Sequence, residues 1–213
     1  MTSEHHYDKK YFEWQSNVGI FGALANRIKF EELIEKNQKV LDFGCGGGYM
    51  LSTFDKIERY GVEINDIARN EAKKKIKVFK TSKELPNEFF DLIITNHALE
   101  HCDNPFLELK ELYRSLKKGG LICIVVPIDN KKNKFIKNDR FMHLYSWSPS
   151  NLGNILKASG FNVLESKPFI HTWVPYYLRV KKIVSWPIFH FLCRVYGSLN
   201  HKYRQSRAIA KKL

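Results

Sequence analysis

The sequence predicts an α/β fold built around a doubly wound, mostly parallel sheet. Short and almost continuous apolar runs alternate with segments of helical periodicity, and such runs form strands that are covered on both faces. The chain has 213 residues, 44% hydrophobic and 27% charged, which is enough to bury the core of one domain and is not typical of disorder. A glycine-rich turn directly follows the first apolar run, at the edge where such sheets bind ligands.

The first half of the chain contains the following elements in order. Residues 21–36 place apolar side chains at helical spacing and predict a leading helix. The apolar run at 39–43 ends at glycines and predicts a buried first strand. A second strand is predicted at 59–63, a helix at 66–75 and a weak third strand at 76–79.

The second half repeats the alternation with stronger signals. Residues 89–95 predict a strand, and residues 105–116 predict a helix with one apolar side. Basic residues followed by two glycines at 117–120 are typical of a helix C-terminus. The run at 121–126 is the most apolar of all and predicts a central strand.

A glycine loop and a following acid indicate a cofactor that contains a nucleoside. Gly44, Gly46 and Gly48 follow the first strand, and glycine lets backbone amides approach a ligand closely. Glu63 ends the second strand, where a carboxylate can accept hydrogen bonds from both ribose hydroxyls. A dinucleotide fingerprint would need glycine where Tyr49 stands, so the pattern favours a cofactor without a pyrophosphate.

With these motifs the chain resembles the class I S-adenosylmethionine-dependent methyltransferases. The resemblance covers residues 39–168 and is nearest to small-molecule and glycan-precursor enzymes, including the quinone O-methyltransferases. Five segments match the family's motifs in family order: VLDFGCGGGYML, YGVEIN, FFDLIITNHALEH, LKKGGLICIVVP and HLYSWSPSNLGNILKASGFNVLE.

The resemblance implies a fold and a division of the chain. The fold is a Rossmann-like seven-stranded sheet, mostly parallel with an antiparallel last strand, plus a helical C-terminal insertion. Residues 1–38 would form an aromatic lead-in and helix, and 39–170 the S-adenosylmethionine-binding core. Residues 171–203 would form a basic aromatic insertion, and 204–213 the last strand. S-adenosylmethionine would be the cofactor and S-adenosylhomocysteine its product.

The resemblance also implies cofactor contacts, in which Gly44 and Gly46 approach the methionine part and Glu63 holds the ribose. Many members have an acid for the adenine at the position of Thr81 or Ser82, and here the Ser82 hydroxyl would take that place. The N-terminal aromatic residues, Tyr11 included, resemble the lead-in that often folds over the cofactor in this family. The alternative is that they form a hydrophobic staple for the leading helix. The nine expected cofactor contacts are Tyr11, Asp42, Gly44, Gly46, Glu63, Ile64, Ser82, Asn96 and His97.

Methyl transfer to a hydroxyl is helped by a general base, and three histidines are candidates. His97 directly follows the fourth strand, His101 lies a helical turn later, and His143 lies in the segment after the fifth strand. Each could instead have a structural role. Residues 97–101 also read H-x-x-E-H, but an inverted zinc peptidase would need this pattern on a long helix. Some quinone relatives bind a divalent ion here, with an acid where His97 stands, so the sequence predicts no metal.

The C-terminal quarter of the chain is basic and aromatic. The formal net charge is +13, and residues 166–213 contain ten Lys or Arg and no acid. Aromatic residues interleaved with basic ones at 171–203 favour contact with an anionic membrane surface or a lipid-linked acceptor. The alternatives are a homodimer interface, a lid over a small anionic substrate and, less favoured, a nucleic-acid surface.

The sequence therefore predicts an S-adenosylmethionine-dependent enzyme that O-methylates a small molecule or a glycan/lipid-linked precursor. The alternatives are a nucleic-acid methyltransferase and a cofactor-binding module without catalysis. No signal peptide, spanning segment or CxxC pair is recognisable in the sequence. We therefore expect a cytoplasmic protein, with peripheral attachment at the inner face of the membrane as a further interpretation.

Overall fold

A computed structural model describes residues 18–128, 135, 137, 139, 141–200 and 204–213. Within these residues, seven strands form one sheet in the order β3-β2-β1-β4-β5-β7-β6. The first five strands run parallel to one another, and β7 is antiparallel to both β5 and β6. This architecture confirms the doubly wound sheet with an antiparallel last strand. In chain order the strands are β1 (Lys39–Phe43), β2 (Glu58–Val62), β3 (Lys77–Phe79), β4 (Phe90–Asn96), β5 (Leu116–Ile128), β6 (Asn162–Phe169) and β7 (Arg204–Lys211).

Helices cover both faces of the sheet, and side chains near their first residues define where several of them begin. Asn65, Asn104 and Ser148 each accept a hydrogen bond from a backbone N–H of the first turn, and Pro105 and Pro149 occupy first positions that lack a partner for an N–H. The α-helices are α1 (Gly19–Asn26), α2 (Tyr49–Ser52), α3 (Asp66–Ala72), α4 (Pro105–Ser115), α5 (Pro149–Ala158), α6 (Tyr177–Ile183) and α7 (Trp186–Leu199). Short 3₁₀ turns lie at Arg27–Lys29, Glu31–Leu33, Ser82–Glu84 and Leu99–His101.

The leading helix differs from its prediction. A single helix over 21–36 was expected, but α1 ends at Asn26 and two 3₁₀ turns follow. Phe30 lies between these turns with a non-helical φ of −133° and is fully buried against the sheet. Burial of Phe30 and of the preceding Lys29 therefore overrides the helical spacing.

Two other boundaries were also wrong. The helix predicted to end at about residue 75 ends at Ala72. Residues 117–120 were expected to close a helix, but they belong to β5, which begins at Leu116. The N–H of Gly119 donates to the carbonyl of Lys212 at 2.8 Å, so pairing with the end of the chain extends the strand.

The core lies on both faces of the sheet because neighbouring strand residues point in opposite directions. Leu41 and Ile93 belong to the cluster on the side of α4 and α5. Val40 and Leu92 belong to the opposite cluster, which includes Phe30. All five side chains are fully buried, which explains the continuous apolar runs of the sequence.

The helices between β6 and β7 pack against α1. The ring of Phe21 lies 5.1–5.9 Å, centroid to centroid, from four rings of the predicted insertion, so much of its aromatic content serves internal packing. Within the part of the chain that the structure describes, no helix is both long and apolar enough to cross a bilayer. The four rings around Phe21 belong to Trp173, Tyr177, Trp186 and Phe189.

Candidate active site

The glycine loop follows β1 and turns sharply into α2. Gly44, Gly46 and Gly48 all have positive φ, at 77°, 53° and 74°, a region that side chains strongly disfavour. A Cβ on Gly44 would stand 2.3 Å from the Cβ of Ala98, so the loop after β1 touches the segment after β4. Glycine is therefore required at Gly44 both for its φ and for this close approach.

Glu63 closes the loop from the other side. It immediately follows β2, and its carboxylate accepts the N–H of Gly46 and the N–H of Asn65, both at 2.8 Å. Burial raises the pKa of Glu63, and these two N–H groups act in the opposite direction. A carboxylate offers about four acceptor positions, so positions remain for hydroxyl donors.

Three further cofactor contacts were expected from the sequence. Asp42 is buried in β1, and burial followed by the charge of Glu63 raises its pKa to about 8. Ile64 exposes 38% of its surface beside Glu63, as an apolar platform for a flat ring would require. The hydroxyl of Ser82 is buried and donates to Glu108 at 2.6 Å. Tyr11 lies outside the described residues.

The donor and acceptor set of the loop fits a nucleoside cofactor. A carboxylate for hydroxyl groups lies at the end of β2, beside a glycine turn that lets backbone approach a ligand. The loop lies at the carboxyl edge of the central strands, where doubly wound sheets bind ligands.

Asn96 and His97 lie at the same edge, at the end of β4. His97 has a positive φ of 57°, and its N–H donates to the carbonyl of Val125 at 2.8 Å. The Nε2 atom of His97 lies 3.2 Å from Oε1 of Gln205. An amide oxygen only accepts, so this pair assigns the proton of neutral His97 to Nε2.

A cavity of about 370 Å³ opens beside these two residues. It lies between the end of β4, the start of β7, the segment after β6 and the turn after α1. Polar and aromatic side chains from four separate stretches of the chain line it: Asn26, Lys29, Asn96, His97, His171, Thr172, Trp173 and Gln205.

Lys29 is the functional candidate that the sequence reasoning missed. Only 2% of this residue is exposed, and its Nζ donates to Oδ1 of Asn96 at 2.8 Å. Burial lowers the pKa of Lys29 to about 7, with the charge of Glu100 acting in the opposite direction. The predicted helix over 21–36 gave no signal for Lys29, because the break after Asn26 is what turns it inward.

The three candidate bases lie near Glu100, but only His97 lines the cavity. Glu100 is fully buried, with its Oε1 3.7 Å from Nδ1 of His97 and 3.8 Å from Nε2 of His101. The rings of His101 and His143 meet edge to face at 5.1 Å. His97 exposes 37% of its side chain, yet partial burial and then Lys29 lower its pKa.

Residues Glu100, His101 and His143 also bring one candidate ligand atom each to within 4.8 Å of one another. The H-x-x-E-H segment of the sequence ends in the 3₁₀ turn Leu99–His101 rather than lying on a long helix. This geometry does not match the peptidase pattern. The absence of a metal stays a prediction of the sequence.

Known methyltransferases resemble this chain in sequence and in fold. A family model for a methyltransferase domain matches residues 17–166. A ubiquinone biosynthesis O-methyltransferase of Rickettsia canadensis is 25% identical, over 71% of this chain and 73% of that protein. An uncharacterised protein of Methanocaldococcus jannaschii is 30% identical, over 75% of this chain and 81% of that protein. An S-adenosylmethionine-dependent methyltransferase structure from Thermotoga maritima is similar in fold, with a TM-score of 0.70 at 20% identity over 99% of this chain and 100% of that one.

Proposed function

Because the chain belongs to the methyltransferase family and is a class I S-adenosylmethionine-dependent methyltransferase, we propose that it O-methylates an acceptor bound in the cavity beside Asn96 and His97. The observation that supports this proposal is the position of the cavity, at the strand edge that also holds the glycine loop. The acceptor would be a small molecule or a glycan/lipid-linked precursor. S-adenosylmethionine supplies a methyl group on a sulfonium, which reacts by in-line displacement.

The loop and the end of β2 would hold the cofactor. Glu63 would accept the ribose hydroxyls, and backbone at Gly44 and Gly46 would approach the methionine part. Ile64 would support the adenine ring, since it is exposed beside Glu63. Asp42, Ser82 and Tyr11 complete the proposed set, in which the Ser82 hydroxyl also donates to Glu108.

His97 would contact the acceptor hydroxyl at the end of β4. Burial lowers the pKa of His97, so its imidazole is neutral at pH 7; with its proton on Nε2, Nδ1 is the nitrogen that would accept a proton, and a base with so low a pKa accelerates transfer only modestly. His101 and His143 do not line the cavity. We therefore propose that His101 and His143 hold Glu100 and the segment after β5 in place. In that segment the N–H of Leu144 donates to the backbone carbonyl of Glu100 at 2.9 Å.

The proposal is tested with methyl-labelled S-adenosylmethionine, purified protein and an extract of the source cells, followed by separation of organic, small aqueous and polymeric products. Label in the small aqueous or organic fraction is expected. Label confined to the polymeric fraction would instead identify a nucleic-acid or protein methyltransferase. No label in any fraction, with S-adenosylhomocysteine still bound in calorimetry, would leave a binding module without catalysis.

A lipid-linked acceptor at an anionic membrane is the second candidate, and the exposed face of α7 favours it. Four apolar residues of this helix are exposed at a spacing that forms one stripe, and Arg194 is exposed beside them. No acid occurs between residues 166 and 213 to oppose anionic lipids. Attachment would be peripheral, at the inner face of the membrane. The stripe consists of Ile188, Phe191, Val195 and Leu199.

Vesicle sedimentation separates this candidate from a lid or a homodimer. Wild type is expected to sediment with phosphatidylglycerol vesicles, and Leu199→Asp is expected to reduce the bound fraction several-fold. Leu213→Asp is the matched control, because Leu213 is equally exposed, at 73% against 78%, but lies beyond β7. Equal binding by both variants would contradict the membrane role of α7, and a concentration-dependent dimer lost in Leu199→Asp would assign the stripe to self-association.

A further inference from the structure

We propose that the cavity beside Asn96 is built for an acceptor with an anionic group, a carboxylate or a phosphate, which the ammonium group of Lys29 binds. This inference rests on the proposed function, since it names the acceptor class for that site. It follows from where Lys29 lies, which other charges line the cavity and which polar atoms there lack a partner.

Lys29 is hydrogen-bonded at the cavity through both its backbone and its side chain. Its backbone carbonyl accepts the Nε–H of Arg207 on β7 at 2.9 Å, and Arg207 is itself paired with Glu32. The Nζ of Lys29 donates one hydrogen bond to Asn96, at the end of β4. An ammonium group has three donors, so two more are available for a ligand in the cavity.

Among the described residues that line the cavity, Lys29 is the group that can be charged near pH 7, because burial lowers the pKa of His97 and of His171 to about 3. His97 and His171 become positive when protonated, and no carboxylate is among the described residues that line the cavity. The nearest acid, Glu100, is fully buried and meets His97 from outside the lining. An anionic acceptor would therefore meet the ammonium group of Lys29 and two neutral imidazoles, whereas an ammonium acceptor would be repelled by Lys29.

His171 supplies a second polar group with an unmet hydrogen bond. It is 2% exposed, and its Nε2 lies 3.0 Å from Nδ1 of His190. Its own Nδ1 has no hydrogen-bond partner within the described part of the chain. When His190 donates to Nε2, the proton of neutral His171 is on Nδ1, and an anionic oxygen would satisfy it.

The ligand would also offset the unfavourable free energy of burying the ammonium group of Lys29. Burial disfavours the ammonium form and lowers the pKa of Lys29 to about 7. A bound anion favours the charged form, so it would raise this pKa while gaining a charge-assisted hydrogen bond. Protonation of Lys29 and binding of an anion are therefore expected to be coupled.

The test uses protein saturated with S-adenosylhomocysteine and three small probes: benzoate, phenyl phosphate and the neutral benzamide, which has nearly the shape of benzoate. Binding is measured by NMR titration for wild type, Lys29→Met and Lys110→Met, the last being an exposed lysine of α4. Benzoate or phenyl phosphate is expected to bind wild type and Lys110→Met equally, and at least tenfold more weakly to Lys29→Met. Whichever anion binds more tightly identifies carboxylate or phosphate as the acceptor group.

In wild type, ¹³C-labelled lysine gives a second readout that needs no variant. The Lys29 signal should titrate at the lowest pH of all the lysines, and the anion should raise its pKa while benzamide does not. The proposal is overturned if neither anion binds wild type, if benzamide binds as tightly, or if Lys29→Met binds the anions unchanged. Failure of wild type to bind S-adenosylhomocysteine would instead count against the proposed function.

Discussion

The two halves of the candidate active site are assembled in different ways. The cofactor half consists of the glycine loop at 44–48 and the end of β2 at 63–65, which are close in sequence. The acceptor half gathers side chains from residues 26–29, 96–97, 171–173 and Gln205. One half is a local motif of the chain, whereas the other exists only once the chain has folded.

The two halves also offer different chemical groups to a ligand, backbone groups in one and side chains in the other. The cofactor half depends on backbone N–H groups and on glycine φ values, which few other residues can supply. The acceptor half depends on side chains, and its segment at 171–173 packs against the helices between β6 and β7. A sequence motif therefore identifies the cofactor class, while the acceptor chemistry becomes visible only from the packing around Lys29.

The largest effect is expected where the two halves touch, at Gly44. Gly44→Ala introduces a Cβ at 2.3 Å from Ala98 in addition to a positive φ of 77°. Gly119→Ala is the matched control, because its φ is 79° but its Cβ would meet nothing nearer than 3.8 Å. We expect Gly119→Ala to lose about 1–2 kcal/mol of unfolding free energy from its φ. Gly44→Ala should lose about 1–3 kcal/mol more from overpacking, measured by urea denaturation.

Equal losses for the two alanine variants would mean that the contact between the loop after β1 and Ala98 relaxes freely. The two halves would then be mechanically independent. A larger loss for Gly44→Ala would show that the position of the loop is fixed by the segment that follows Asn96 and His97.

A smaller effect, confined to the cofactor half, is expected at Glu63. Glu63→Ala should weaken binding of S-adenosylhomocysteine at least tenfold in calorimetry, about 1.4 kcal/mol, because the ribose hydroxyls lose their acceptor. Glu58→Ala is the control, since Glu58 is an exposed acid at the opposite end of β2, and its carboxylate accepts the Tyr60 hydroxyl. Unchanged affinity in Glu63→Ala would remove the ribose assignment.

The difference between the halves also sets what the sequence could predict. The positions of the strands along the chain were predicted because strands that are buried on both faces give almost continuous apolar runs. Glu63 was singled out because glycines at a fixed distance precede it in the chain. Boundaries failed where tertiary contacts decided them, as at Phe30 and at Gly119, which pairs with Lys212 at the far end of the chain.

The acceptor half was predicted only in part, for a physical reason. His97 was identified because it directly follows a strong strand. His101 and His143 share that neighbourhood but are not among the described residues that line the cavity, and their roles stay predictions. Lys29 and Gln205 have no local signal, because nothing in a sequence window shows that a lysine is buried or that an antiparallel strand brings a glutamine beside β5.

The most gradual effect, spread over several pH units, is expected from Lys29→Met, as a change in how stability depends on pH. Lys29 has a pKa of about 7 in the folded protein and about 10.4 when unfolded. Between these values the unfolded chain binds the extra proton, so the contribution of Lys29 to stability rises with pH, by at most about 1.4 kcal/mol per pH unit. Wild-type stability minus that of Lys29→Met should therefore increase between pH 7 and 9 in urea denaturation.

This window isolates Lys29 from the charged groups around it. Glu100 and Cys123 favour its charged form, and His97 and His171 have pKa values lowered well below pH 7, so the two imidazoles do not titrate in the window. Asp42 has a pKa of about 8, but it lies in the cofactor half, and its contribution cancels in the difference between the two proteins. Binding of S-adenosylhomocysteine should be the same in both proteins. A flat difference would mean that water or Glu100 keeps Lys29 charged, whereas a loss of cofactor affinity would show that the two halves are coupled through Asn96.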